Sequence, residues 1–311
     1  MTVYAIHENP DWFPPFAAAF ERAGLEYEEW LLIEGSIDLD AAPPEGVFWN
    51  RLSASSHTRD HVHSKDYTRA VLDWLEAHGR RVVNGRSVVE MEVSKVRQLT
   101  SLRAFGIDTP RTVAVIGKAD LVERARSMPA PFITKHNQGG KGLGVRRFDD
   151  LGMFEAYVVS DEFEEPVDGI TLLQEYVEPA EPFITRVETV GYEYIYAIKA
   201  DTARGGFQLC PADACELDEN GQPKAAESLF SLREGFEHPA IDQVLGFARM
   251  HRLEVAGFEF IEAADGRCVV YDVNTNTNYN PDVEAIAPRS GPGAIASYLR
   301  RVEQETYATS R

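Results

Sequence analysis

An α/β fold is what this sequence predicts, and three observations predict it. Strand-like and helix-like runs alternate through the first 84 residues, the rhythm of βαβ units around a small parallel sheet. A strand-like run then enters a loop with four glycines, Asn137-Gln-Gly-Gly-Lys-Gly-Leu-Gly-Val145. The last third is strongly β-patterned on both sides of a single helix, so the later lobes read as α+β.

Taken in order, residues 3–6 form a short strand and 14–23 a helix with proline near its start and Gly24 at its end. Strands follow at 27–33 and 46–49, separated by the Pro43-Pro44 loop. An amphipathic helix over 67–78 is closed by Gly79, and 81–84 is the next strand. A helix at 93–105 stops at Gly106, and a strand (112–116), a helix (118–128) and a strand (131–135) lead into the glycine loop. The strand at 172–177 ends at Glu178-Pro179. Segments 185–201 and 257–274 are the β-rich ones, with a helix at 240–251 between them. No repeat or low-complexity tract interrupts this order. We divide the chain at 1–88, 89–175 and 176–311.

Composition narrows the function. At 311 residues, 44% hydrophobic and 26% charged, the chain suits a soluble globular protein with a large core, and a cytoplasmic location is the default. Fifty acidic against 31 basic residues give a net charge of −19, which argues against a nucleic-acid partner. No apolar run approaches a membrane span. Any anionic ligand must therefore meet a local group of cations, helped by a divalent ion. Cys210, Cys215 and Cys268 are too few and too unevenly spaced for a disulfide framework or a zinc ribbon.

Several residues carry chemistry. The runs FEFI and CVVYDVN flank an Ala-Ala-Asp-Gly turn and read as a hairpin. Alternate strand residues share a face, which puts Asp272 with Asn274. Glu259 on the partner strand would complete an oxygen-only set suited to Mg²⁺. On this segment alone, an exposed edge with solvated acids is an equal reading. The glycine loop brings backbone N–H groups close to phosphate oxygens, or is simply a hairpin turn. It is not a Walker A loop, and the cations Lys135 and Lys141 weigh against a plain turn. Lys95 by itself reads as solvated surface. Arg51 ends a buried strand, where such sheets expose ligand-facing residues, and is read as a carboxylate anchor or a surface arginine. His7, Glu8 and Asn9 end the first strand in the same way. His57 and His61 would share a helix face, but zinc there lacks a third ligand. The segment Asn276-Thr-Asn-Tyr-Asn280 offers amides to a substrate or to Asx turns, and Arg204-Gly-Gly206 is a candidate substrate loop.

The order of these motifs resembles the ATP-grasp superfamily, in particular its RimK-like carboxylate–amine ligases. A Lys95-bearing helix precedes FITKHNQGGKGLGV, the strand-hinge LLQEYVEP follows, then the strand with Thr185-Arg-Val, then the Glu/Asp/Asn hairpin. The likeness spans roughly residues 48–281. It implies an ATP-grasp fold behind a Rossmann-like N-terminal domain. It further implies ATP as cosubstrate, Mg²⁺ or Mn²⁺ as cofactor, and small carboxylate and amine substrates; a homodimer is a default expectation that no motif specifies. Lys95 and Lys135 would contact phosphates, with Gly139, Gly140, Lys141 and Gly142 in the loop that closes over them. Gln174, Glu175 and Val177 would form the adenine hinge, and Glu178 or Glu181 would hold the ribose. Arg186, Lys199 and Lys141 would be catalytic cations; Glu259, Asp272 and Asn274 would bind the metal; Arg51, Arg204 and Asn276 would bind substrate. Two departures stand out. The acid expected two residues before Arg186 is Ile184, and the metal carboxylates have exchanged lengths, Glu259 for Asp and Asp272 for Glu. The implied reaction activates a carboxylate as an acyl phosphate, which an amine then attacks. Two alternatives share the motifs: an ATP-binding regulatory or carrier-binding module, and a kinase that stops at phosphorylation.

Overall fold

The computed structural model describes residues 1–140, 142, 144–205 and 228–309. The N-terminal lobe alternates strand and helix: β1 (Val3–His7), α1 (Pro14–Ala23), β2 (Tyr27–Leu31), β3 (Val47–Asn50), α2 (Ser64–Ala77) and β4 (Arg81–Val83). Its strands pair in parallel in the order β2-β1-β3-β4, as the βαβ rhythm predicts. Both faces of β1 and β3 are buried, which is why they read as continuous apolar runs. Their C-terminal ends carry buried polar groups, among them Glu8, Asn9, Asn50 and Arg51.

A further helix, α3 (Arg86–Glu92), precedes the one expected at 93–105, which is α4 (Lys95–Phe105). α3 ends at Val93, and Ser94 caps α4 by accepting from the Arg97 N–H at 3.3 Å. The second sheet follows with β5 (Thr112–Ile116), α5 (Leu121–Ala125), β6 (Phe132–His136), β7 (Arg146–Phe148), α6 (Leu151–Val159) and β8 (Ile170–Glu175). It is antiparallel in the order β5-β8-β6-β7. The helix expected over 118–128 shrinks to α5, and β7 and α6 had no forecast. Asp150 caps α6 by accepting from the Met153 N–H.

The third sheet comprises β9 (Phe183–Val190), β10 (Glu193–Asp201), then, after α7 (Thr202–Gly205), β11 (Phe230–Leu232), and after α8 (Pro239–His251), β12 (Val255–Glu262) and β13 (Cys268–Asn274). Its order is β11-β10-β9-β12-β13, antiparallel throughout. One face packs with α1 and α10 (Gly291–Thr309), which follows α9 (Pro281–Ile286). The opposite face packs on α8, Leu102 and Val88. Among the described residues no helix is long and apolar enough to cross a membrane.

Candidate active site

A cleft of about 690 Å³ opens between the second and third sheets, roofed by the N-terminal lobe. Its walls come from Ser53–Ser55, the start of α4, the end of β6 with the glycine loop, the hinge after β8, and the β12–β13 hairpin.

The hairpin forms the floor. Glu259 pairs directly with Asp272 and Gly257 with Asn274, and the register slips between Glu259 and Phe260. That bulge sets two β13 residues against one on β12, so Tyr271 and Asp272 both line the cleft. Tyr271 donates to Glu259 Oε2 at 2.9 Å, and Asn274 Nδ2 donates to Glu259 Oε1 at 3.0 Å. The Asn274 amide oxygen is thereby turned away from Glu259, leaving two carboxylates and an amide oxygen as hard donors. Asn276 also lines the cleft, and its Oδ1 is buried without a hydrogen-bond partner.

Cations converge on this floor. Lys95, the first residue of α4, places Nζ 2.5 Å from Asp272 Oδ1, and Lys135 on β6 places Nζ 3.6 Å from Oδ2. The two elements are tied together because Asn137 accepts from the Lys95 and Val96 N–H groups. Burial pushes the Asp272 carboxyl upward, but Lys135 and Lys95 outweigh it and hold it at about 2. Burial lowers Lys135 to about 8 despite Asp272. Arg186 on β9 crosses the hairpin and donates through Nη1 to Glu259 Oε1 at 3.1 Å. Gly257 is required beneath it: a Cβ there would lie 2.7 Å from Nη2.

The glycines Gly139, Gly140 and Gly142 line the cleft opposite the floor. Gln138 joins them to the N-terminal lobe, accepting from Lys65 at 2.9 Å and donating to the Ala54 carbonyl at 3.3 Å. At the hinge, Gln174 donates to Thr112 Oγ1 at 3.0 Å. Glu178 and Glu181 stand at the exposed rim, both within the lining.

Some expectations change. The Glu175 N–H already donates to the Arg111 carbonyl at 2.8 Å, and its carboxylate pairs with Arg267, so this residue braces the hinge. The Val177 N–H has no backbone acceptor among the described residues. Lys199 is not brought to the site. It pairs with Thr185 while Arg186 pairs with Ile198, so strand alternation puts it on the opposite face, with its ammonium over the Phe183 ring at 4.4 Å. Arg204 does not itself line the cleft: it is exposed on α7, beside the lining residues Thr202 and Ala203, and pairs with Asp201 at 2.7 Å. Arg51 is buried behind the cleft, its guanidinium stacked 4.3 Å over Phe16. It reaches the cleft only through Asn278, whose Oδ1 accepts from Nη2 at 2.9 Å. Glu8 accepts from Arg59 at 2.7 Å and faces His61 at 3.2 Å. Among the described residues no set of three or more His, Cys, Asp or Glu is placed so that it could hold a metal, at His57 and His61 or elsewhere. Lys141, Gly206, Cys210 and Cys215 lie outside the described residues.

Sequence reasoning missed Tyr271, Glu188, Thr277 and Glu92. Glu188 was within reach, since two residues after Arg186 on a strand means the same face. Tyr271 was not, because only the bulge turns it inward.

No family model matches the chain. A ribosomal protein bS6–L-glutamate ligase from Shigella boydii is 27% identical over 247 residues, spanning 78% of this chain and 74% of that protein. The ATP-grasp ligase PsnB, solved with a minimal precursor, superposes with a TM-score of 0.65 at 18% identity over 96% of this chain and 99% of its own. A RimK-domain ATP-grasp protein from Sphaerobacter thermophilus gives 0.64 at 16% identity over 96% and 100%. The chain thus has the ATP-grasp fold and is similar in sequence to RimK-like carboxylate–amine ligases.

Proposed function

We propose that this protein is an ATP-dependent ligase that joins a substrate carboxylate to the amino group of an acidic amino acid, using ATP with Mg²⁺ or Mn²⁺. One observation carries the reading: Lys95, Lys135 and Arg186 meet Glu259, Asp272 and Asn274 on one floor of one cleft. Cations for phosphates beside an oxygen-only donor set for a hard metal ion are what phosphoryl transfer needs. Asp272, held at about 2, is ionised at neutral pH and ready as a ligand. When bound, the metal–nucleotide complex supplies the phosphoryl group and neutralises its charge.

The chain's own residues do the rest. Lys95, Lys135 and Arg186 orient the phosphates, and Val177 with Gln174 receives the adenine. Glu178 or Glu181 takes the ribose. The segment with Gly139, Gly140 and Gly142 covers the reacting groups and keeps water from the activated acyl group. Asn276 Oδ1, a buried acceptor without a partner, suits the incoming amine. Asn278, its amide oriented by Arg51, turns its N–H donors toward a carboxylate, with the guanidinium charge behind. The acidic amino acid also follows the relative named for adding L-glutamate.

The test is ADP and amide formation across a panel of carboxylates, with and without glutamate or aspartate. Amide product should require both substrates. ADP formed to the same extent without any amine, and no amide product, points to a kinase and sinks the ligase reading. In Asp272→Asn, turnover should fall by about a hundredfold or more. The fold should persist, since Lys135, already lowered to about 8, can shed its proton. Undiminished ADP release would overturn the metal assignment.

A further inference from the structure

Glu188 is a fully buried carboxylate that does not line the cleft, yet it is bonded to a residue that does. It follows Arg186 by two residues on β9 and shares its face. Arg186 Nε donates to Glu188 Oε1 at 2.6 Å. Thr277 closes the triangle: its Oγ1 accepts from Arg186 Nη2 at 2.6 Å and donates to Glu188 Oε2 at 2.8 Å. The guanidinium is therefore gripped from behind by Glu188 and Thr277, and meets Glu259 in front through Nη1 at 3.1 Å. Glu259 already takes bonds from Tyr271 and Asn274. Without the rear acid, Arg186 is free to pair more fully with Glu259, consuming a carboxylate that the metal needs. The acid expected two residues before Arg186 is isoleucine here, so on this face of the strand Glu188 flanks it from the other side.

We propose that Glu188 is a positioning residue: it fixes the orientation of Arg186 toward the terminal phosphate and, through Thr277, locks that orientation to the segment bearing Asn276 and Asn278. This rests on the assignment of Arg186 to the phosphates. Thr277 sits between the two cleft-lining asparagines, so the same acid that aims the arginine also anchors the acceptor segment.

The experiment compares calorimetric affinities for Mg·AMPPNP and Mg·ADP, ligands that differ at the terminal phosphoryl group, in Arg186→Ala, Glu188→Gln and Glu188→Asp. Arg186→Ala should lower the AMPPNP-to-ADP affinity ratio about tenfold, the scale of one charge-assisted contact. Glu188→Gln should lower it by a similar factor with Tm nearly unchanged, and Glu188→Asp should fall between. If Arg186→Ala leaves the ratio intact, the phosphate assignment fails and the proposal with it. If Arg186→Ala lowers the ratio and Glu188→Gln does not, positioning alone is overturned. Equal loss for both ligands in Glu188→Gln, with a lower Tm, marks a merely structural acid and also overturns it. Should Glu188→Gln not fold, Thr277→Val takes its place: a lowered ratio supports the proposal and an unchanged one refutes it.

Discussion

Asp272 meets two ammonium groups, with Lys95 at 2.5 Å and Lys135 at 3.6 Å, on the same oxygens that a metal ion would claim. Under the proposed function, phosphate and metal binding would be linked at this one side chain: a cation drawn off to phosphate would free a carboxylate oxygen. His7 shows a different use of burial. It ends β1 with its ring stacked 4.9 Å from Phe13. Burial first, and Arg51 second, hold it at about 4, and the half-exposed Glu29 carboxylate 3.1 Å from Nε2 does not reverse this. An unfolded imidazole titrates near 6.5, so between about pH 6.5 and 4 the unfolded chain binds the proton and the folded one does not. Stability from this group is complete above that window and is lost as the pH falls through it, by up to roughly 3 kcal/mol. In denaturant titrations across this range, His7→Gln should show a shallower pH dependence. An unaltered slope would refute the prediction.

The β12–β13 hairpin is the element on which the site depends most, and its period-2 pattern was legible: Asp272 and Asn274 share a face and Glu259 joins them, as alternation requires. The bulge beside Glu259 was not legible, because nothing in an apolar-polar pattern marks one extra residue. Lys199 failed for a related reason. It was placed only by the resemblance, as a second basic position beyond Arg186, whereas the pleat sends an odd-numbered offset across the β9–β10 pair to the other face. Gly257 gives the element a sharp test. Alanine there would put Cβ 2.8 Å from Arg186 Nε and displace the guanidinium. Gly257→Ala should cost about 1–3 kcal/mol of stability, the usual range for overpacking. It should also weaken Mg·AMPPNP binding in calorimetry. Wild-type affinity in a folded Gly257→Ala protein would contradict this account of the close crossing.

At the scale of the whole molecule, two buried polar residues fasten the N-terminal lobe to the catalytic floor. Asn84, with φ of 53°, accepts from the Glu254 and Val255 N–H groups at 2.9 and 3.1 Å and donates to the Val255 carbonyl at 2.7 Å. Glu92 accepts from the Ala54 N–H at 3.1 Å and from Thr275 N–H and Oγ1 at 2.7 and 2.9 Å. These struts set the height of the cleft roof above the metal floor. Asn84→Ala leaves buried backbone groups unpaired and should cost about 3 kcal/mol in equilibrium unfolding. A change under about 0.5 kcal/mol would show that Asn84 does not fasten the lobes.

The sequence by itself determined the parallel N-terminal sheet, the order of the motifs along the chain and the shared face of Glu259, Asp272 and Asn274. Each rests on local periodicity, or on a residue type whose chemistry has few uses at that spacing. Only the tertiary structure decided that Arg51 acts from behind Asn278, that Glu175 braces the hinge, that Lys199 faces away and that Glu188 grips Arg186. Those outcomes depend on contacts between segments as far apart in the chain as Arg51 and Asn278. Strand pairing and burial settle such contacts, and no local pattern encodes them.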